Sequence, residues 1–297
     1  FDPLTCAMGA VLASLIGNDF QLYGGFGYVN YTFDGWGLYT QLWGMVLLPI
    51  TLAFGFRTMR TNQGYFWTTL LLSVTLMSHL LYGYMAFLTL GFLAFVPESQ
   101  VSLNKSLVLS IWNHWKRLAV LFVLVLSVTM YFLGPFVLDH EHFSGPGQRP
   151  SVVFDSFGHQ VILQTLMRGD LFDLGRFPSF SILIFAGIAI CICSLREVRY
   201  LVPLVTFSIW LLLFFGRSTW GPLIDVLPMS RYIQMHRFIA GVHLGGILLA
   251  AIALAAAWRW AISRTQLWYL VPVLALTLLL LLPVYFERRS YLSDNSF

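Results

Sequence analysis

The sequence predicts an all-α integral membrane protein, a bundle of about eight transmembrane helices with further helices at the membrane interface. Two observations predict this fold class. Of the 297 residues, 58% are hydrophobic and only 10% are charged, and the mean hydropathy is +0.76, whereas a water-soluble domain of this size needs many more charges to cover its surface. The apolar residues also lie in long stretches, which must be helical because lipid offers the backbone no hydrogen-bond partners.

The apolar stretches give the predicted spans in chain order. The first half contains 3–17, 38–56, the long stretch 65–96, and 118–138. The second half contains 180–195, 200–215, 238–258 and 267–286. The segment 102–116 mixes Leu and Trp with polar residues, which predicts an amphipathic helix on the membrane surface. We interpret residues 1–297 as a single polytopic transmembrane domain and expect it to be a fragment of a longer chain, because it begins at Phe1 without a methionine.

The stretch 65–96 is too long for one ordinary span, and Ser78-His79 lies near its middle. A hairpin at this point would put four groups of basic residues on one side of the membrane: Arg57 and Arg60; Lys105, Lys116 and Arg117; Arg196 and Arg199; Arg259 and Arg264. A single crossing would put the first group opposite the other three. The positive-inside rule therefore favours the hairpin, with the basic groups cytoplasmic and His79 toward the outer side.

The composition excludes a nucleic-acid-binding protein, although the net charge is +4. The basic residues are spread over short loops between apolar helices, as expected for a protein whose partner is the lipid bilayer. Cys6, Cys191 and Cys193 lie in apolar runs and are interpreted as packing residues. His236 and His243 are seven residues apart, but no second helix carries a matching pair. No metal site and no cofactor are predicted.

Two residues are candidates for catalysis. His79 lies among leucines, and a polar side chain at membrane depth usually faces a cavity or a partner. The alternative is a histidine bonded to a backbone carbonyl. Asp34 lies in a loop rich in Gly and aromatic residues, where aromatic faces suit sugar rings and a carboxylate suits base catalysis. The alternative is a turn residue within an interfacial aromatic belt.

Cationic side chains just before a late span are candidates for binding phosphate. Arg231, His236 and Arg237 precede the span 238–258, where they would hold a lipid-linked diphosphate at the outer interface. The alternative is contact with lipid headgroups by side chains that extend toward the interface.

A second pair of cations lies in the long connection between the two halves. Arg168 and Arg176 occur in the segment 157–178, where charged and apolar residues alternate, so an ordered helix and turn against the membrane is predicted. Both side chains are candidates for holding a phosphate. The alternative is that they pair with Asp170 and Asp173.

Four features together resemble the multi-spanning membrane proteins labelled 6-pyruvoyl-tetrahydropterin-synthase-related, which belong with the GT-C glycosyltransferase superfamily. They are the helix-breaking histidine at the end of 71–79, Pro135 at the end of a span, the segment Arg168-Gly-Asp170-Leu-Phe-Asp173, and the segment 231–237. The resemblance covers most of the chain and implies no pterin chemistry. It implies transfer of a sugar from a polyprenyl-phosphate carrier, with a catalytic acid in a first outer loop that would lie before Phe1.

The predicted function is therefore that of a GT-C-type transferase that uses a lipid-linked sugar as its partner on the outer face. We expect a multi-pass protein of a prokaryotic plasma membrane. The rival hypothesis is a transporter or lipid flippase, which favours repeated halves with facing broken helices. The sequence shows one candidate break, at Ser78-His79, without a counterpart in the second half. A non-catalytic membrane subunit is a third hypothesis.

Overall fold

The computed structural model describes residues 1–17, 39–97, 105–139 and 151–294, and every regular element in these ranges is a helix. This confirms the all-α fold class. The first half contains α1 (Pro3–Ala13), α2 (Tyr39–Thr61), α3 (Tyr65–Ser78), α4 (Leu80–Leu93) and α5 (Lys105–Leu138). The second half contains α6 (Ser151–Asp155), α7 (Gly158–Arg168), α8 (Asp170–Asp173), α9 (Ser179–Cys193), α10 (Val198–Phe214), α11 (Arg217–Trp220), α12 (Ile239–Ile262) and α13 (Leu270–Asp294). Short 3-10 turns occur at Gly221–Val226, Ser230–Tyr232, Met235–Phe238 and Leu267–Tyr269.

Within the described ranges, four helical segments are long and apolar enough to cross a membrane: Tyr39–Thr61, Leu107–Leu138, Met235–Ile262 and Leu267–Asp294. A fifth results if Val198–Phe214 and Arg217–Val226, bent by 76° at their junction, count as one span. The protein is thus a multi-pass membrane protein that contacts lipid. The sequence-based number of about eight also includes α1, α3, α4 and α9, whose 11 to 15 residues extend only about 16 to 22 Å. A bilayer core is roughly 30 Å thick.

The stretch 65–96 is a helical hairpin. His79 has extended backbone (φ −157°, ψ 110°) and separates α3 from α4, which have 14 residues each. A Cβ added to Gly83 would lie 2.6 Å from the Cα atom of Leu76, an approach impossible between residues seven apart in a straight helix. At the open end of the hairpin, Arg60 at the end of α2 donates to the carbonyl oxygens of Val96 (3.2 Å) and Pro97 (2.8 Å).

The hairpin packs against α2 through matched hydroxyl groups. Thr51 lies 2.8 Å from Thr75, and Thr58 lies 2.8 Å from Thr68, oxygen to oxygen. Such pairs join helices where lipid provides no hydrophobic driving force. Near the start of α2, the tip residue His79 lies against Gly44. The bundle therefore has two ends, the tip end with His79 and the basic end with Arg60.

From Lys105 onward, the predicted surface helix 102–116 and the predicted span 118–138 form one helix, the 34-residue α5. No proline or glycine interrupts it before Gly134, so the helix has no reason to break at the membrane surface. At the basic end, Arg117 donates to the carbonyl oxygens of Met59 (2.6 Å) and Arg60 (2.7 Å). These bonds satisfy carbonyl groups in the last turn of α2.

The second half is built around α12, whose side chains from Ile239 to Ala255 are almost all buried. It packs against α1, α9, α10 and α13. Glycines permit the close approach: a Cβ on Gly245 would lie 2.6 Å from the Cα atom of Phe207 in α10, and one on Gly187 of α9 would clash with the carbonyl oxygen of Leu249. The indole N–H of Trp210 in α10 donates to Thr89 of α4 (2.9 Å), which joins the two halves.

Candidate functional site

The tip of the hairpin meets the segment that precedes α12. His79 Nε2 lies 3.3 Å from Nη1 of Arg237, although the two residues are 158 positions apart in the sequence. Arg237 belongs to the 3-10 turn Met235–Phe238, and its Nε donates to Oε1 of Gln234 (3.1 Å). The structure thus brings together two of the predicted site residues that the sequence leaves far apart.

The backbone of His79 explains why this residue forms the tip. Its N–H closes α3 by donating to the carbonyl oxygen of Thr75 (3.0 Å), and its own carbonyl accepts from Tyr82 (2.9 Å) and Gly83 (3.1 Å) to begin α4. The imidazole ring packs edge-on against Tyr82, with centroids 5.2 Å apart. Within the described ranges, the Nδ1 atom of His79 is buried and has no hydrogen-bond partner.

The other two predicted residues of this segment occupy different environments. His236 is buried, and its Nδ1 donates to the carbonyl oxygen of Val153 in α6. This contact corresponds to a structural role, in which the imidazole anchors the turn before α12. Arg231 is exposed in the turn Ser230–Tyr232, where it is accessible to a ligand or a lipid headgroup.

Sequence reasoning missed Arg217, which organises the segments around the tip. It donates to the carbonyl oxygens of Phe154 (2.9 Å), Ile233 (3.3 Å) and Ser230, and its guanidinium lies 3.9 Å from the centre of the Phe154 ring. The signal in the sequence is an arginine directly after Gly216, where an apolar run ends.

Arg176 lies in a separate buried cluster. Its Nη1 is 2.7 Å from Oε2 of Glu287 in α13, its Nη2 is 3.5 Å from Oδ1 of Asp173, and both nitrogens donate to the carbonyl oxygen of Leu15 (3.1 Å). The pairing of Arg176 with Asp173 that the sequence left open is therefore present, and Glu287 adds a second carboxylate. Arg168, at the end of α7, is exposed.

Asp173 caps α9 from the same cluster. Its carboxylate accepts from the backbone N–H groups of Phe180 (3.1 Å) and Ser181 (2.8 Å), and from the Ser181 hydroxyl (2.9 Å). Burial raises the pKa of the Asp173 carboxyl, whereas these hydrogen bonds and Arg176 act in the opposite direction. Asp173 and Arg176 both have partners within the chain, so the role of the cluster is structural.

An apolar groove of about 310 Å³ lies beside the end of α10, lined by Leu212, Leu213, Trp220, Leu223, Ile224, Val226 and Leu227. Its walls are α10 and the turn Gly221–Val226, and it carries almost no polar surface. Such a groove suits a hydrocarbon chain. In the part of the chain that the structure describes, no group of three or more His, Cys, Asp or Glu side chains could hold a metal ion. Asp34 lies outside that part.

Comparison with known proteins relates the sequence to a family without an assigned activity. No curated protein and no solved structure matches the chain. One family model, described as "Family of unknown function (DUF6541)", matches residues 3–295. The match includes both halves of the bundle, the hairpin tip at His79 and the turn that carries Arg237. Because it extends over nearly the whole sequence, the chain belongs to the DUF6541 family.

Proposed function

We propose that the protein is a membrane-embedded glycosyltransferase of GT-C type that takes a sugar from a polyprenyl-phosphate carrier at the outer face. The observation that carries the proposal is the contact between His79 and Arg237 at the hairpin tip. The tip lies beside Gly44, five residues after the start of α2 at Tyr39, which is about 7 Å along the helix. A cation at that depth suits a phosphate just below a membrane surface.

Sugar transfer from a phosphate carrier requires a base for the acceptor and cations for the departing phosphate. Arg237, together with the exposed Arg231, is our choice for the phosphate. Asp34 and His79 would support the acceptor side. His236 donates to the carbonyl oxygen of Val153 and would position the turn that carries Arg237.

The two cations of the long connection have unequal parts in this proposal. Arg168 is exposed and stays a candidate for the phosphate. Arg176 is fully engaged by Glu287, Asp173 and the backbone of Leu15, so we leave it out of the phosphate site.

The apolar groove at the end of α10 supports a substrate that carries a hydrocarbon chain. The groove belongs to the same end of the bundle as Arg237. In the chain, Arg217 follows α10 and precedes Trp220, and its side chain donates to the carbonyl oxygen of Ile233, four residues before Arg237. A lipid-linked substrate with its prenyl chain in the groove and its phosphate near Arg237 would extend across this end of the bundle. A lipid-linked sugar would use both contacts, whereas a water-soluble sugar nucleotide would use only the phosphate contact.

We further propose that the shorter apolar helices complete a bundle of about eight spans by continuing into the interface. The basic end would face the cytoplasm of a prokaryotic cell, because Arg60, Arg117 and Arg259 all lie toward it. Arg259 is placed there by the direction of α12, which starts beside Arg237 at the tip end and has 24 residues.

A transporter or lipid flippase is the second candidate, because the second half also contains a broken helix. The pair Val198–Phe214 and Arg217–Val226 bends by 76°, a counterpart to the break at His79 that the sequence did not reveal. However, both breaks lie at the tip end, whereas alternating access favours breaks that face each other at the membrane midplane. This arrangement favours the transferase.

The test compares binding and turnover of polyprenyl-phosphate sugars by the full-length protein in lipid nanodiscs. Losing a hydrogen bond to a charged group costs about 1.5–3 kcal/mol, so Arg237→Ala should weaken binding by about 10-fold to 150-fold. Arg199→Ala is the matched control, since Arg199 is half-exposed and pairs with Glu197. Unchanged binding and turnover in Arg237→Ala would remove the proposed site. Movement of the lipid across vesicles without sugar transfer would favour the flippase.

A further inference from the structure

We infer that Arg217 is a positioning residue: its guanidinium fixes the apolar groove beside α10 relative to the cation of Arg231, so that one phosphate-bearing lipid binds at both. This inference rests on the proposed function and deepens it, because it concerns the same substrate. The ligand class is a phosphate monoester on an apolar chain, with the chain in the groove and the phosphate at Arg231. Arg217 itself does not contact the phosphate.

The first step is that the groove and Arg231 are neighbours. One wall of the groove is the turn Gly221–Val226. Within this turn, Asp225 accepts a hydrogen bond from the Ser230 hydroxyl (3.1 Å), and Arg231 is the next residue after Ser230. The turns Gly221–Val226 and Ser230–Tyr232 are in contact, and the side chain of Arg231 is exposed. A cation therefore lies at the border of an apolar groove, as an anionic amphiphile requires.

The second step concerns what holds these two parts in place. Arg217 joins the backbone on both sides of Arg231 to α6. It donates to the carbonyl oxygens of Ser230 and Ile233 (3.3 Å), and to that of Phe154 in α6 (2.9 Å). Because a guanidinium is planar and its N–H directions are fixed, these three carbonyl groups have little freedom to move relative to one another. Arg217 also begins the segment that forms the groove wall, so its side chain closes that segment into a ring.

The third step separates the role of Arg217 from that of a phosphate ligand. Asp155 and Asp225 lie close enough for their charges to act on that of Arg217, and backbone carbonyl groups accept from both of its terminal nitrogens. The charge of Arg217 is therefore balanced within the chain, and the phosphate is expected at the exposed Arg231 instead. Arg217 also compensates the carboxylate of Asp225, which would otherwise repel a phosphate beside the groove.

The experiment measures how the full-length protein in nanodiscs binds two phosphate monoesters. Polyprenyl phosphate carries the chain, and methyl phosphate has the same headgroup without it. The ratio of their affinities gives the contribution of the chain, and partitioning into the nanodisc cancels when variants are compared with the native protein. Arg217→Lys retains the charge but not the planar fork. It should lower this ratio about tenfold or more, because two linked contacts reinforce each other only when their geometry permits both. Methyl phosphate should bind as in the native protein.

Further variants separate the phosphate, the chain and the charge. Arg231→Ala should weaken both esters and leave their ratio near the native value, because it removes only the cation. Leu223→Asn, in the lining of the groove, should lower the ratio as Arg217→Lys does. Arg217→Gln should also weaken methyl phosphate, because the charge of Asp225 is then uncompensated. Arg199→Lys, in an exposed ion pair with Glu197, is the matched control and should retain the native ratio.

Ser230→Ala provides the same test if Arg217→Lys does not fold. It removes only the hydrogen bond between the two turns and should lower the ratio about twofold to tenfold. An unchanged ratio in the folded variant would overturn the inference, as would a native protein that gains no affinity from the chain beyond partitioning into protein-free nanodiscs.

Phosphatidic acid, a phosphate monoester on a different apolar chain, is the third probe. Tighter binding of polyprenyl phosphate than of phosphatidic acid supports both the inference and the proposed function. Tighter binding of phosphatidic acid, with the same loss in Arg217→Lys, would overturn the proposed function and leave the role of Arg217 in place.

Discussion

Arg176 and Glu287 form an ion pair between segments 111 residues apart, with Nη1 2.7 Å from Oε2 and side chains only 7% and 14% exposed. The pair links the end of α8 to α13. The same guanidinium donates to the carbonyl oxygen of Leu15, just after α1. Three parts of the chain that are remote in sequence therefore meet at one side chain.

Arg176→Met should lower the free energy of unfolding by about 3–5 kcal/mol, because removing one partner of a buried pair leaves the opposite charge uncompensated. Thermal unfolding in detergent measures the change. The control is Arg199→Met, whose partner Glu197 is 54% exposed, and an exposed pair contributes at most about 1 kcal/mol. Equal losses in the two variants would contradict the structural role of Arg176.

Gly83→Ala should destabilise the hairpin by about 1–3 kcal/mol, because the added methyl group would lie 2.6 Å from the Cα atom of Leu76. Gly134→Ala is the matched control within α5, since nothing lies within 4 Å of its added methyl group. That change should be neutral or stabilising by up to about 1 kcal/mol, owing to the better helix propensity of alanine. Thermal unfolding compares the two. A tolerated Gly83→Ala would show that the arms do not touch at this point.

Asp2 predicts a dependence of stability on pH. The backbone N–H of Thr5, with help from the Thr5 hydroxyl and Arg259, lowers the pKa of Asp2 to about 2 from 3.8. A carboxyl whose pKa is lowered by folding stabilises the fold above its unfolded pKa of about 3.9, and the contribution disappears as the pH falls through about 2. The difference in unfolding temperature between the native protein and Asp2→Asn should therefore shrink between pH 5 and pH 2. A difference that grows over that range would contradict the assignment.

The direction of the helices predicts that Gln63 and Met229 are on opposite sides of the membrane. Gln63 follows α2 at the basic end, and Met229 precedes the turn Ser230–Tyr232 at the tip end. Single cysteines at these positions, in a background without the native cysteines, should react with impermeant reagents from opposite sides. Both residues are exposed, so failure to label would not arise from burial. Labelling of both from one side would contradict the topology.

Much of the fold can be predicted from local pattern. The long apolar stretches predict helices, and a histidine among leucines, combined with the distribution of basic residues, predicts the hairpin at His79. The lengths of the helices are harder to predict from the sequence. Hydropathy alone treats 102–116 as a surface segment, although from Lys105 onward the chain continues without a break through α5. No proline or glycine interrupts that helix before Gly134.

The site is predictable only in its parts. His79 and Arg237 each attract attention as polar residues near apolar spans, but their pairing requires tertiary structure across 158 residues. In the sequence alone, Arg176 is as good a candidate for binding phosphate as Arg168. Its engagement by Glu287 depends on how α13 packs, and no local pattern encodes that contact. The same holds for Arg217, whose acceptors are backbone carbonyl groups of other segments.

The packing of α1 against α12 has a consequence for synthesis. Asp2 bonds to Arg259, which is 257 residues later, and Gly9 of α1 lies against Ala251. At roughly 5–20 residues per second, the ribosome would need on the order of 10 to 50 s to produce the later helix. During that interval the 11-residue α1, which is shorter than a bilayer core is thick, lacks the helix against which it packs here. The contact between α1 and α12 must therefore form late, after most of this sequence has been synthesised.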